Sequence, residues 1–171
     1  AFDGILNCSG RCAHSQGVEV EIVARPLAGL KLNLAATVFK AQLDQDQPSL
    51  SGAPKAGTQL QKTPTFSASG ALNYRRELSA NYAGNVQLDF QHMGRVAVMN
   101  YDASRNLPAP AYTLVNAYLA LSSGAHWEVK LYGRNLCNVR ARVNTDYNSV
   151  NPALVYVNRP RTLGIELALH Y

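Results

Sequence analysis

Apolar and polar residues alternate one by one along most of this chain, in runs separated by turn-rich stretches, and no useful length carries the 3.6-residue period of a helix. From Gly17 to Arg25, Val18, Val20, Ile22 and Ala24 alternate with Glu19, Glu21, Val23 and Arg25, and the run ends at the tight-turn sequence Pro26-Leu27-Ala28-Gly29. Leu30 to Leu43 resumes the pattern, with Leu32, Leu34, Ala36 and Val38 against Lys31, Asn33, Ala35 and Thr37, so the two runs predict a hairpin. Further strands are expected from Thr65 to about Arg76, from Tyr82 to about Met93 and from Ala111 to Leu121. Another begins at Trp127, with Val129 and Leu131 opposing Glu128, Lys130, Tyr132 and Arg134. A last one starts near Pro160, where Leu163, Ile165, Leu167, Leu169 and Tyr171 oppose Thr162, Gly164, Glu166, Ala168 and His170. Ala1 to Leu6 reads as a remnant too short for a complete strand.

Short links at 26–29, 77–81 and 122–125 alternate with long stretches rich in Gln, Ser, Asn, Gly and Pro at 44–64, 94–110 and 138–158. A soluble sandwich has no reason to gather its long loops at one end. An outer-membrane barrel has short periplasmic turns and long extracellular loops as a rule. The polar rows carry Glu19, Glu21, Lys31, Asp89, Glu128, Lys130, Arg134 and Glu166. Burying such charges in a dry core is costly, whereas a water-filled lumen solvates them and leaves the aliphatic rows to meet lipid. The expected fold is therefore all-β: a fragment of an antiparallel transmembrane β-barrel with about seven to eight up-and-down strands.

Composition narrows the alternatives. The 171 residues suit one domain, and the mean hydropathy of -0.15 excludes a helical membrane protein, whereas a barrel strand is apolar only at alternate positions. The net charge of +5 is scattered and forms no basic run, so no nucleic-acid partner is expected. Cys8 and Cys12 allow either a small loop disulfide or two free thiols, and with Cys137 they match none of the usual zinc spacings. His14, His92, His126 and His170 have no Ser or Asp at a recognisable catalytic spacing, so neither an enzyme, a metal site nor a cofactor is expected. Among loop residues, Tyr101, Arg105, Arg140, Arg142 and Tyr147 are candidates to touch a ligand, although solvated loop residues are the commoner case.

Several ordered segments carry a resemblance. Gly17-Val18-Glu19-Val20-Glu21, followed by Ala24-Arg25-Pro26-Leu27-Ala28-Gly29-Leu30, is similar to the GVELE…ARP..GL segment of TonB-dependent receptor barrels. Tyr112-Thr113-Leu114-Val115-Asn116-Ala117, then Trp127-Glu128-Val129 and Gly133-Arg134-Asn135-Leu136, resemble that family's penultimate hairpin. Arg159-Pro160-Arg161-Thr162-Leu163-Gly164, with the closing Tyr171, resembles its final strand. Cys137 and the Cys8/Cys12 pair depart from the pattern.

The resemblance implies the C-terminal portion of a receptor barrel spanning residues 1–171, without its plug domain and N-terminal strands, in the outer membrane of a Gram-negative bacterium. The intact protein would import a scarce nutrient complex, most commonly a ferric siderophore, with vitamin B12, other chelates and oligosaccharides open. Its partners would be outer-membrane lipid, an extracellular small molecule, and TonB with the inner-membrane energising complex, reached through the missing N-terminal region. The barrel assembly machinery would read the last strand at Leu163, Ile165, Leu167, Leu169 and Tyr171. The runner-up is a small self-contained structural or adhesive barrel of about eight strands.

Overall fold

The computed structural model describes residues 2–8, 11–124, 126–146 and 154–170, with side chains from residue 13 onward. In chain order the strands are β1 (Phe2–Cys8), β2 (Arg11–Leu27), β3 (Leu30–Leu43), β4 (Phe66–Glu77), β5 (Tyr82–Met93), β6 (Tyr112–Ser123), β7 (Trp127–Arg134), β8 (Arg142–Asp146), β9 (Leu154–Val157) and β10 (Thr162–Leu169). Eight of them form one antiparallel up-and-down sheet in the order β1-β2-β3-β4-β5-β6-β7-β10, and β8 pairs with β9 separately. No helix is present among the described residues, and none is long and apolar enough to cross a membrane.

Four expectations need correcting. The first residues are not a mere remnant, because Phe2 to Cys8 pairs residue for residue with Gly17 to Arg11. For the same reason β2 starts at Arg11 and not at Gly17, reaching past the clean alternation into a segment where Gly, Ser and Gln blur the pattern. This hairpin also turns tightly at the end where the other connections are long, so the asymmetry of loops has an exception at β1–β2. The stretch 138–158 is not irregular throughout, since Arg142–Asp146 and Leu154–Val157 fold back on each other as a hairpin.

Cross-strand register turns the alternation of each strand into two continuous faces. One row runs Leu30, Tyr74, Val86, Leu119, Leu131, Ile165, and a neighbouring row runs Leu32, Leu72, Leu88, Ala117, Gly133, Leu163. The opposite face contains rows such as Arg75, Asn85, Ala120, Lys130, Glu166. The row that begins at the β2–β3 turn reaches β10 in its middle, so successive strands are stepped along one another. Such a stagger is the shear a sheet needs in order to curl toward a barrel.

The aliphatic rows are not packed against one another as a dry core. Val86 is 44% exposed, Leu131 49% and Leu163 70%, and among the described residues no large side chain is fully buried. What small core exists, Val96 with Met99 and Ala109, lies among the long loops. An exposed aliphatic face of this extent marks a surface that meets a partner, whether protein or membrane.

Three glycine positions hold the sheet in place. Gly29 (φ +81°) closes the β2–β3 turn so tightly that a Cβ would collide with the carbonyl oxygen of Arg75, and its own carbonyl accepts the Arg75 amide at 2.9 Å. Gly70 leaves room in the apolar face that the Phe90 ring and Leu34 fill from the strands on either side. The polar face repeats the device, with the Tyr132 ring lying over Gly164.

Candidate functional site: a charged face beneath a layer of loops

All eight charged residues singled out from the sequence sit on the same face, by register and strand parity. Lys130 and Glu166 are direct cross-strand partners, with Lys130 Nζ 3.5 Å from Glu166 Oε1 and 3.9 Å from Glu128 Oε1. Asp89 accepts a hydrogen bond from Asn116 Nδ2 at 2.6 Å. Arg134 stacks its guanidinium 5.2 Å from the centre of the Tyr132 ring. Glu19, Glu21 and Lys31 face Thr37, Ala35 and Asn73 across their ladders and are not gathered into this group. Leu163, Ile165, Leu167 and Leu169 occupy the apolar face of β10, opposite Gly133, Leu131, Val129 and Trp127. Tyr171 and Tyr147 lie outside the described residues. So do the side chains of Cys8 and Cys12, whose backbones pair with Arg11 and Asn7.

Sequence reasoning missed a set of asparagines that tie the polar face to the loops. Asn116 Oδ1 accepts the Asn135 amide at 2.9 Å. The buried Asn135 side chain then donates from Nδ2 to the carbonyls of Val139 and Arg159, each at 2.9 Å, and accepts the Val139 amide at 3.0 Å. Asn158 Nδ2 donates to the same two carbonyls, and Asn158 Oδ1 accepts the Ala141 amide. Asn138 Oδ1 accepts the amide of Arg161. The clamp joins the end of β7 to the start of β10. Its signal was present in Asn135 and Asn138, both at φ +50°, because Asn tolerates that left-handed conformation better than other side-chain-bearing residues.

Above the clamp the long connections form a joined layer. The Lys62 amide donates to the Val98 carbonyl at 2.8 Å, and Arg142 Nη1 donates to the Pro108 carbonyl at 3.0 Å. Within the 44–64 loop, Asp46 accepts from Lys55 Nζ at 2.8 Å and from the Ala56 amide at 2.9 Å. The Lys55 bond first, and then the Ala56 amide, hold the Asp46 carboxyl below the usual carboxylate range, while Asp46 raises Lys55. Within 94–110, Asp102 is lowered by hydrogen bonds from the Ser104 hydroxyl and amide, with Arg105 Nε 3.6 Å away. Asn106 Oδ1 accepts the Met99 amide, and Asn106 Nδ2 donates to the Ala97 carbonyl. Of the remaining loop candidates, Tyr101 is half-buried and Arg140 exposed, whereas Arg142 lines a cavity of about 160 Å³.

The histidines do not assemble a catalytic group. His14 Nδ1 bonds the Asp44 carboxylate, His92 Nδ1 bonds Thr113 Oγ1 at 2.9 Å, and the His170 amide donates to the His126 carbonyl, which extends the β7–β10 ladder. No group of three or more metal-ligating side chains occurs among the described residues.

Residues 11–136 match the sequence profile of the family described as TonB dependent receptor-like, beta-barrel. The chain belongs to this family. The family is one of receptor barrels. Among solved structures, the barrel is similar to the ferric yersiniabactin uptake receptor FyuA from Yersinia pestis, with a TM-score of 0.78, 20% identity, and coverage of 94% of this chain and 24% of that one. The Ferric-Catecholate import receptor Fiu from K12 E. coli superimposes with a TM-score of 0.73 at 13% identity, over 94% of this chain and 21% of that one. The siderophore receptor PiuA from Acinetobacter baumannii gives 0.72 at 12%, over 92% and 22%. This chain thus spans about a quarter of the length of these receptors. No protein of curated function matches its sequence.

Proposed function

We propose that this chain is the C-terminal portion of the barrel of an outer-membrane receptor that imports a scarce nutrient complex, a ferric siderophore or similar chelate, with energy relayed through TonB. In this reading the charged face lines the lumen, the aliphatic face meets the acyl chains, and the loop layer faces the extracellular medium. Plug, remaining strands and TonB-binding segment belong to the rest of the intact protein, and the barrel assembly machinery acts on the β10 edge. One observation carries the proposal: the paired strands β2–β7 and β10 separate into an uncovered aliphatic face and a face bearing every one of the predicted charges. A water-filled pore within lipid satisfies both at once. The similarity to a ferric yersiniabactin uptake receptor, a Ferric-Catecholate import receptor and a siderophore receptor supports the choice of cargo.

A self-contained small barrel is disfavoured, because β1 and β10 stand at opposite edges of the sheet and do not pair. The orientation is tested by single cysteines placed in the intact receptor after removal of the native ones. Lys130→Cys should react with a water-soluble maleimide, and its outward neighbour Leu131→Cys should react only with a lipid-soluble reagent. Equal labelling of both by the water-soluble reagent refutes the assignment of faces. Uptake of labelled iron chelates by cells lacking the receptor, with and without the restored gene and with and without TonB, tests the transport role.

A further inference from the structure

We propose that the aliphatic side of the sheet holds one specific site for an acyl lipid, in which a groove takes the hydrocarbon chain and His92 binds the carbonyl of its ester or amide linkage. The groove measures about 360 Å³ and lies over Gly70, between Leu34, Leu72, Leu88, Phe90 and Val115. It exists because Phe90 and Leu34 fold down onto the glycine from the neighbouring strands, which lowers the surface between the flanking leucines. A void of about 150 Å³ holds benzene, so this groove has room for a long run of methylenes.

The register places a polar pair at one end of this groove. Leu34, Gly70, Phe90 and Val115 are cross-strand neighbours, and the next row of the same face toward the long loops is Ala36, Ala68, His92 and Thr113. The two alanines leave the path from the groove to His92 low. On the other side the row is Leu32, Leu72, Leu88 and Ala117, wholly aliphatic. Asp89 also borders the groove, but its carboxylate is on the opposite face, where it accepts from Asn116. His92 Nδ1 lies 2.9 Å from Thr113 Oγ1, and its ring packs against Phe66 with 5.6 Å between centroids, so the imidazole is fixed. Nε2 has no partner among the described residues and is not enclosed. With the Thr113 hydroxyl donating to Nδ1, the ring hydrogen sits on Nε2, a donor on a surface where water is scarce. Such a group is costly unless answered, and a carbonyl is the acceptor that stands at the head of an acyl chain. The one-ended polarity of the site is that of the lipid. A membrane-spanning protein segment would leave Nε2 unanswered, because its backbone carbonyls are already bonded.

The site rests on the receptor reading, in which this face meets lipid and His92 stands toward the outer leaflet. It is tested by native mass spectrometry of the intact receptor in detergent micelles, titrated with dimyristoyl phosphatidylglycerol and with its dialkyl ether analogue. The two lipids share headgroup and chain length, and only the first has carbonyls. The tightest site should retain the ester lipid about three- to tenfold more strongly than the ether. His92→Phe keeps a ring against Phe66 and should remove that preference. Leu88→Trp fills the groove and should weaken both lipids while keeping their ratio. Both variants add apolar surface to a face that is already apolar, so neither threatens folding. Sites elsewhere on the barrel are common to all variants and cancel in the comparison. Equal retention of the two lipids, an undiminished preference in His92→Phe, or receptor dimers that disappear in Leu88→Trp overturns the proposal. The cysteine pair at 130 and 131 separates the two claims: labelling as expected without an ester preference rejects the site and keeps the assignment of faces, whereas equal labelling rejects both. An ester preference without TonB-dependent uptake keeps the site and rejects the transport role.

Discussion

At the scale of single residues, the loops are held by side chains that the strand pattern does not require. Asp46 is the clearest case. Its carboxyl is held below its ordinary value of 3.8, so the interaction with Lys55 and the Ala56 amide is fully present above that value and is lost as pH falls through the lowered one. Lys55, raised above its ordinary 10.5, contributes below that value and loses its contribution as pH rises through the raised one. The 44–64 loop should therefore resist proteolysis across the interval between and loosen at either extreme. Asp46→Asn should remove the acidic limb of that profile and speed cleavage at neutral pH, as followed by limited proteolysis with mass spectrometry. A neutral-pH cleavage rate equal to that of the unmodified protein contradicts the assigned role.

At the scale of elements, the asparagine clamp joins two segments that the sequence shows only as separate motifs. Asn135 supplies both a left-handed backbone and a side chain that bonds Val139 and Arg159. Asn135→Ala loses both, while Asn135→Gly keeps the backbone freedom and loses only the bonds. The Val139 and Arg159 carbonyls keep Asn158 as a donor, but the Val139 amide loses its acceptor, at a cost of about 1–3 kcal/mol, so both variants should lower resistance to urea, with alanine the worse. A glycine variant as stable as the original would show that the conformation alone matters. The central strands and their faces were legible in the sequence because Val18 to Ile22 and Val86 to Phe90 alternate strictly and Leu32 to Val38 departs from the pattern only at Ala35, the period that a one-sided apolar face enforces. Residues 11–16 were not, since Ala13, Ser15 and Gln16 carry no two-faced pattern and their strand is imposed by pairing with β1. The β8–β9 hairpin and the cavity depend on contacts between distant loops, which periodicity cannot report. Arg142 stood out only as one cation among several.

At the scale of the whole molecule, the apolar face makes the strongest demand on its surroundings. Leu131 sits within a row of Val86, Leu119 and Ile165, so Leu131→Lys should destabilise the barrel by about 2–4 kcal/mol if that row lies near the bilayer midplane. Reversible denaturant unfolding in phospholipid vesicles measures it, and a cost below that of the same change at exposed Val157 in the β9 loop segment would contradict a lipid-facing row. The pairing of faces does not by itself fix how the strands align, because sliding one strand by two residues preserves inside and outside. Phe90 over Gly70 removes that freedom: a two-residue slip would press the ring against Leu72 or Ala68 and leave the glycine gap open. Tyr132 over Gly164 does the same at the far edge, where a slip would meet Thr162 or Glu166. Each ring is thus a detent, and a sheet whose two surfaces would otherwise allow many equivalent alignments is left with one.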